Sequence, residues 1–182
     1  MSQMEESEMG RLLTDRDCRE KVFALLVNQY SKSLYWKIRS IVLFHDDADD
    51  VLQNTFMKAW KSLDDFKGKS KLSTWLYSIA INEALDFLRR QKKFVSANSN
   101  EETGIANKLT ADEYFDGDRG QAVLQEAIAQ LPDVQRTVFV LHYYDEMKYS
   151  EISTMLGTTE GALKASYHIA VRKITEYVKS HS

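Results

Sequence analysis

KYSEISTMLGTTEGALKASYHIAVRKITEYV, residues 148–178, has the spacing of two helices joined by a tight turn. Ile152, Met155 and Leu156 fall on one face of a short helix, and Gly157 supplies the left-handed residue that ends it. Two residues on, Thr159 is a suitable N-cap for a longer helix. Along it Ala162, Leu163, Tyr167, Ala170, Val171, Ile174 and Val178 recur at spacings of three and four. A short and a long amphipathic helix joined by a Gly-containing turn of three to four residues is the arrangement that sets a second helix into a DNA groove. Similar corners occur in proteins that never touch DNA, so the stretch alone leaves both readings open.

Composition narrows the class. One Pro and seven Gly in 182 residues argue against an all-β chain with many tight turns, and the long 3.6-residue periodicities argue for an all-α one. The net charge of −3 is wrong for a protein that grips duplex DNA unaided, so a nucleic-acid role would rest on local patches or on a larger partner. A single cysteine, Cys18, excludes an intramolecular disulfide, and nothing pairs it with the four His in a zinc spacing; no structural metal and no cofactor are expected. The start, MSQMEESEMG, is acidic and polar, and no apolar run approaches eighteen residues, which predicts a cytoplasmic protein without signal peptide or membrane span.

Taken in order, residues 1–13 read as a disordered tail and residues 14–93 as a first helical domain. Thr14 followed by Asp15 and Asp17 looks like the start of a helix, whose stripe of Phe23, Leu26, Val27, Tyr30, Leu34, Ile38, Ile41 and Val42 runs to about Phe44. A second helix opens on His45 and four aspartates, with Leu52, Phe56, Ala59, Trp60 and Leu63 on its buried side. Its other face, Asp50, Gln53, Asn54, Met57 and Lys58, mixes amides, an acid and a thioether, as a protein interface does; ordinary exposed polar residues would give the same pattern. A third helix from near Ser73 carries Trp75, Leu76, Ile79, Ala80, Ala84, Leu85 and Leu88. Between residues 61 and 93 eight bases face four acids, a local net of +4. Bases around aromatics suit a single-strand platform, with Lys and Arg on phosphates and rings on exposed bases. Phe66, Tyr77 and the lysines are the candidates, while Trp75 reads as core. Residues 94–120 lose the periodicity and turn acidic, the composition of a linker. Residues 121–182 form the second domain: Val123, Leu124 and Ile128 on one helix, then Pro132 opening another whose Val134, Val138, Phe139 and Leu141 pack beneath the helix-turn-helix.

Three motifs, DADDVLQNTFMKAW (47–60), FKGKSKLSTWLYSIAINEALDFLRR (66–90) and LPDVQRTVFVLHYYDEMKYSEISTMLGTTEGALK (131–164), give the chain its resemblance to bacterial sigma factors of the sigma-70 family. The likeness is to the small extracytoplasmic-function group, which keeps only the second and fourth sigma domains. It implies that Asp50, Gln53, Asn54 and Met57 dock on core RNA polymerase. It implies that Phe66, Lys67, Lys69, Ser70, Lys71, Tyr77, Arg89 and Arg90 bind the melted strand of the minus-ten element, one base being flipped into a pocket. The helix from Thr159 would read the minus-thirty-five element in the major groove, with Thr159, Glu160, Lys164, His168, Arg172 and Lys173 as its contacts. Ser166 and Ile169 stand where the family usually has bases, and Lys148 replaces a common capping Ser. An anti-sigma factor is an implied partner, and the acidic linker would thread the channel that nascent RNA later uses.

With no nucleophile, phosphate-binding glycine loop or metal cluster, no catalytic activity and no small-molecule substrate are expected. The expected role is a sigma factor that binds core polymerase and directs promoter recognition and melting. The alternatives are a free-standing helix-turn-helix regulator with a palindromic operator, and a helical adaptor without DNA contact, for which the +4 segment would be an excess.

Overall fold

The computed structural model describes residues 4–66, 68–98 and 119–181, and all regular structure among them is helical. The chain forms two compact units, one up to Phe87 and one from Leu88, so the division falls within a helix.

In the first unit α1 spans Glu6–Leu12, α2 Arg19–Val42, α3 His45–Lys61 and α4 Leu72–Asn98, with a single 3-10 turn at Leu63–Asp65. The expected disordered tail is thus helical over α1. Its acidic first turn suits the helix dipole, and Met9 and Leu13, at the spacing of one helical face, are fully buried. Thr14 does not open α2. Its hydroxyl donates to the Arg11 carbonyl (2.6 Å) and closes α1 instead, and Cys18 stands at the N-cap of α2. The stripe of α2 is buried at Leu26, Leu34, Ile38, Ile41 and Val42. Leu43 then adopts φ 75°, ending the helix two residues before α3 begins.

The buried side of α3 is rotated from the expected one. It runs through Ala48, Val51, Thr55 and Ala59, while Trp60 is 40% exposed with its ring edge-on to Phe23 (5.0 Å). Thr55 tolerates burial because its hydroxyl donates to the Val51 carbonyl (2.7 Å). α4 buries Leu72, Leu76, Ala80, Ile81, Ala84 and Leu88. It is tied to α3 by Lys58–Glu83 (2.6 Å) and to α2 by Tyr77, whose hydroxyl donates to Ser33 Oγ (3.4 Å). α4 also continues to Asn98, into the expected linker. Residues 99–118 of that linker lie outside the described residues.

In the second unit α5 spans Arg119–Ala129 and α6 Asp133–Phe139, which runs directly into a π-helical turn at Val140–Tyr144. α7 spans Tyr149–Leu156 and α8 Glu160–His181. Pro132 sits one position earlier than expected, as the N-cap, because its ψ of 144° is extended; its carbonyl still accepts the Arg136 N–H (2.9 Å). Ala127, Ile128, Leu131, Phe139, Ala170 and Ile174 form a core against which Leu124, Tyr167, Tyr177 and Val178 pack. Val134, expected in this core, is 56% exposed, since the buried face of α6 is Arg136 to Phe139.

The helix-turn-helix is built as its sequence requires. Gly157 has φ 63° and Thr159 Oγ1 accepts the Ala162 N–H (3.3 Å). A Cβ added at Gly157 meets nothing within 4 Å, so Gly157→Ala carries a purely conformational cost. It is expected to remove about 1 kcal/mol, lowering the melting temperature of this unit by several degrees, as read by circular dichroism. The start of α7 has only half a capping box. Glu151 accepts the Lys148 backbone N–H (2.8 Å), but an ammonium has no lone pair with which to return the bond.

Candidate nucleic-acid interface

Three surfaces collect the candidate residues. On α3, Asp50, Gln53, Asn54 and Met57 are all exposed, and their spacing of three, four and seven puts them on one face. Met57 leaves 52% of its surface open. Lys58, expected beside them, turns to α4 through its bond with Glu83. The acidic start of α3 is occupied locally: His45 Nε2 lies 3.4 Å from Asp49, and His45 Nδ1 is 2.5 Å from the Tyr35 hydroxyl.

The second surface is the loop between the 3-10 turn and α4. Gly68, Lys69, Ser70 and Lys71 are exposed, and Arg89 and Arg90 are exposed further along α4; Lys67 lies outside the described residues. The two aromatics expected to stack on bases are placed otherwise. Phe66 is 9% exposed, its ring 5.0 Å from that of Trp75 and close against Gly10 of α1. Tyr77 is half-buried, with the Lys37 ammonium 4.6 Å over its ring. What this surface presents is a row of bases on a flexible-backbone glycine turn (Gly68 φ 65°), anchored by an apolar ring below. Basic composition had suggested an aromatic platform, but packing partners far along the chain claim both rings.

The loop is held at its front by an ion pair that sequence reasoning missed. Arg19 donates through Nε to the Leu13 carbonyl (3.0 Å) and through Nη2 to Asp64 Oδ1 (2.7 Å). The guanidinium holds the Asp64 carboxyl below the usual carboxylate range, first by that hydrogen bond and then by its charge. Because the folded value is the depressed one, this tie is complete at neutral pH and is lost only as pH falls through it.

The third surface is α8. Thr159 and Glu160 open it, Thr159 spending its hydroxyl on the cap, and Lys164, His168, Arg172 and Lys173 are exposed along it. Glu160, Lys164, His168 and Arg172 follow one another at four-residue intervals, a gently winding row. Lys164 Nζ is 3.8 Å from Glu160 and 5.7 Å from the Tyr149 ring; Arg172 lies 4.0 Å from Glu176, and Lys173 donates to Gln135 (3.2 Å). Behind the row, His142 stacks on Tyr149 (4.1 Å) and meets Tyr167 edge-on (4.7 Å), its Nδ1 2.8 Å from the Met147 carbonyl. This aromatic wedge sits between the π-turn, α7 and α8 and sets the angle at which α8 is presented. Among the described residues no helix is long and apolar enough to cross a membrane, and no cluster of His, Cys, Asp and Glu is placed to hold a metal ion.

Comparison with known proteins assigns these units. Residues 26–94 match the Sigma-70 region 2 family and residues 121–174 the Sigma-70, region 4 family. The chain is 30% identical over 158 residues to the ECF RNA polymerase sigma factor SigW of Bacillus subtilis, covering 82% of this chain and 84% of that one. It is 28% identical over 146 residues to RNA polymerase sigma factor SigV of the same organism, covering 80% and 84%. Among solved structures it resembles the sigma factor RpoE from Bartonella quintana, determined in complex with the anti-sigma factor NepR, with a TM-score of 0.67, 25% identity, and coverage of 87% of this chain and 98% of that one. The chain therefore belongs to the sigma-70 family of RNA polymerase sigma factors, in its extracytoplasmic-function group, and is a sigma factor of transcription initiation.

Proposed function

We propose that the chain is a non-catalytic, cytoplasmic specificity subunit that docks on core RNA polymerase through the Asp50, Gln53, Asn54 and Met57 face. The basic loop Lys69, Ser70 and Lys71, with Arg89 and Arg90, takes the melted strand of the minus-ten element, and the outer row of α8 reads the minus-thirty-five duplex. The observation that supports this most is the α3 row: two amides, an acid and a half-open thioether side by side on one exposed helix face. Such a mixed surface suits a protein partner better than it suits water alone. Phe66 and Tyr77 are withdrawn from direct stacking in this reading and act as the floor of the loop. An anti-sigma protein is the third proposed partner, and residues 94–120 are the proposed tether between the two DNA-reading parts.

The test is a pull-down of the purified chain with core polymerase, followed by footprinting of the assembled complex on duplex DNA. Retention on core and joint protection of two separated elements are expected. A folded chain that ignores core polymerase and protects a palindrome by itself would show a free-standing regulator instead. In the assembled complex Lys164→Ala should weaken protection of the upstream element by about 1–3 kcal/mol while core binding holds. Parallel loss of core binding would contradict the division of labour.

A further inference from the structure

The helix α1 and the turn after it precede the region 2 match, which begins at residue 26. Their contacts converge on one place. Ser73, in the first turn of α4, donates its backbone N–H to Glu6 Oε1 (2.5 Å), across 67 residues of sequence. α4 needs this acceptor. Lys71 occupies its N-cap position, the Lys71 carbonyl taking the Trp75 N–H (3.0 Å), and a lysine side chain cannot accept the N–H that a capping Ser or Asp would. Glu6 therefore caps α4 from another helix, bringing a carboxylate to the positive end of the α4 dipole. Gly10 sets α1 against the Phe66 ring, a Cβ there falling 3.5 Å from Cε1. Arg19 holds Asp64 at the front of the loop while grasping the Leu13 carbonyl that ends α1.

We infer that the N-terminal segment 6–19 is a clamp on the basic loop, in which Glu6 and Arg19 are positioning residues that fix its two ends and so set where Lys69, Ser70 and Lys71 meet a melted DNA strand. This rests on the single-strand reading of that loop given above. Neither Glu6 nor Arg19 touches the strand. Each acts by restricting the ends of a loop that carries a glycine in the left-handed region and three lysines whose like charges would otherwise splay it apart.

The probe is the oligonucleotide that the parent chain, assembled with core polymerase, selects from a randomised single-stranded DNA library. Glu6→Ala and Asp64→Ala should each weaken binding of this probe about tenfold, leave core binding within twofold, and speed amide exchange at Ser73 only for Glu6→Ala. Glu6→Gln, which keeps an acceptor oxygen but not the charge, should recover part of the loss. The triple change Lys69→Ala/Lys71→Ala/Arg89→Ala tests the underlying reading. If it leaves probe binding unchanged, the single-strand assignment itself has failed. If the triple change weakens binding and neither Glu6→Ala nor Asp64→Ala does, the clamp is overturned while that assignment stands. Should Glu6→Ala lose core binding through misfolding, Asp64→Ala decides, since Asp64 is 73% exposed and its truncation unmakes one surface tie.

Discussion

Gln53→Ala together with Asn54→Ala is expected to release the chain from core RNA polymerase while its helical content and melting stay those of the parent. Both side chains are exposed on α3, and the buried face of that helix, Ala48, Val51, Thr55 and Ala59, lies on the opposite side. Truncating them should therefore cost the free protein little. In a docked complex the same amides are desolvated, so each must find a partner on the polymerase, and deleting them leaves those partners buried and unpaired. Central interface residues of this kind carry about 2 kcal/mol or more, on the order of thirtyfold in affinity. A pull-down at graded core concentrations reads this directly. Binding within twofold of the parent would move the polymerase surface away from this face of α3.

Arg136→Ala is expected to disrupt the second unit rather than any contact with DNA. Arg136 is 3% exposed and donates to the Ala129 (3.2 Å) and Leu131 (3.0 Å) carbonyls at the end of α5 and to Asp133 Oδ1 (3.0 Å). One planar guanidinium thus closes the C-terminal carbonyls of one helix and the first-turn acid of the next. Burial lowers its proton affinity and the Asp133 charge restores part of it, so it remains cationic at neutral pH. Removing it leaves the Ala129 and Leu131 carbonyls without this donor, at about 1–3 kcal/mol each, while Asp133 keeps its bond to Lys92 (2.6 Å). A small domain has little stability to spare beyond that. Thermal melts should lose the transition of this unit, and Lys, which lacks the fork, should not restore it. If Arg136→Met melts like the parent, side-chain volume rather than hydrogen bonding is what the joint requires.

Sequence and structure agree where the deciding chemistry is local. Gly157 and Thr159 marked the turn because a left-handed residue and a capping hydroxyl act within three or four positions of themselves. The stripe of α2 was equally plain, since Leu26, Leu34 and Ile38 repeat on one face. Disagreement begins where partners are distant. Glu6 reads as part of an acidic tail until Ser73 is folded against it, and Phe66 reads as an exposed ring in a basic loop until Trp75 and Gly10 cover it. Thr55 misled the reading of α3 for another reason. A threonine that returns its hydroxyl to the carbonyl of the preceding turn is polar by composition and apolar in effect. Arg136 belongs to the same class, a charge whose three acceptors make it a core residue.

The carboxylates along α8 bear on how the upstream contact would respond to salt. Of the three cations proposed as its DNA contacts, Lys164 and Arg172 already have a glutamate four residues away, and Lys173 leans on a neutral amide. Each glutamate must be displaced before its cation can shed the counterions of a phosphate. The logarithmic dependence of duplex affinity on salt through this helix is then shallower than the slope of about 3 that three free bases would give. Recognition at that element would respond less steeply to ionic strength, leaving Lys69 and Lys71 of the loop before α4 to carry more of whatever osmotic sensitivity the promoter complex has.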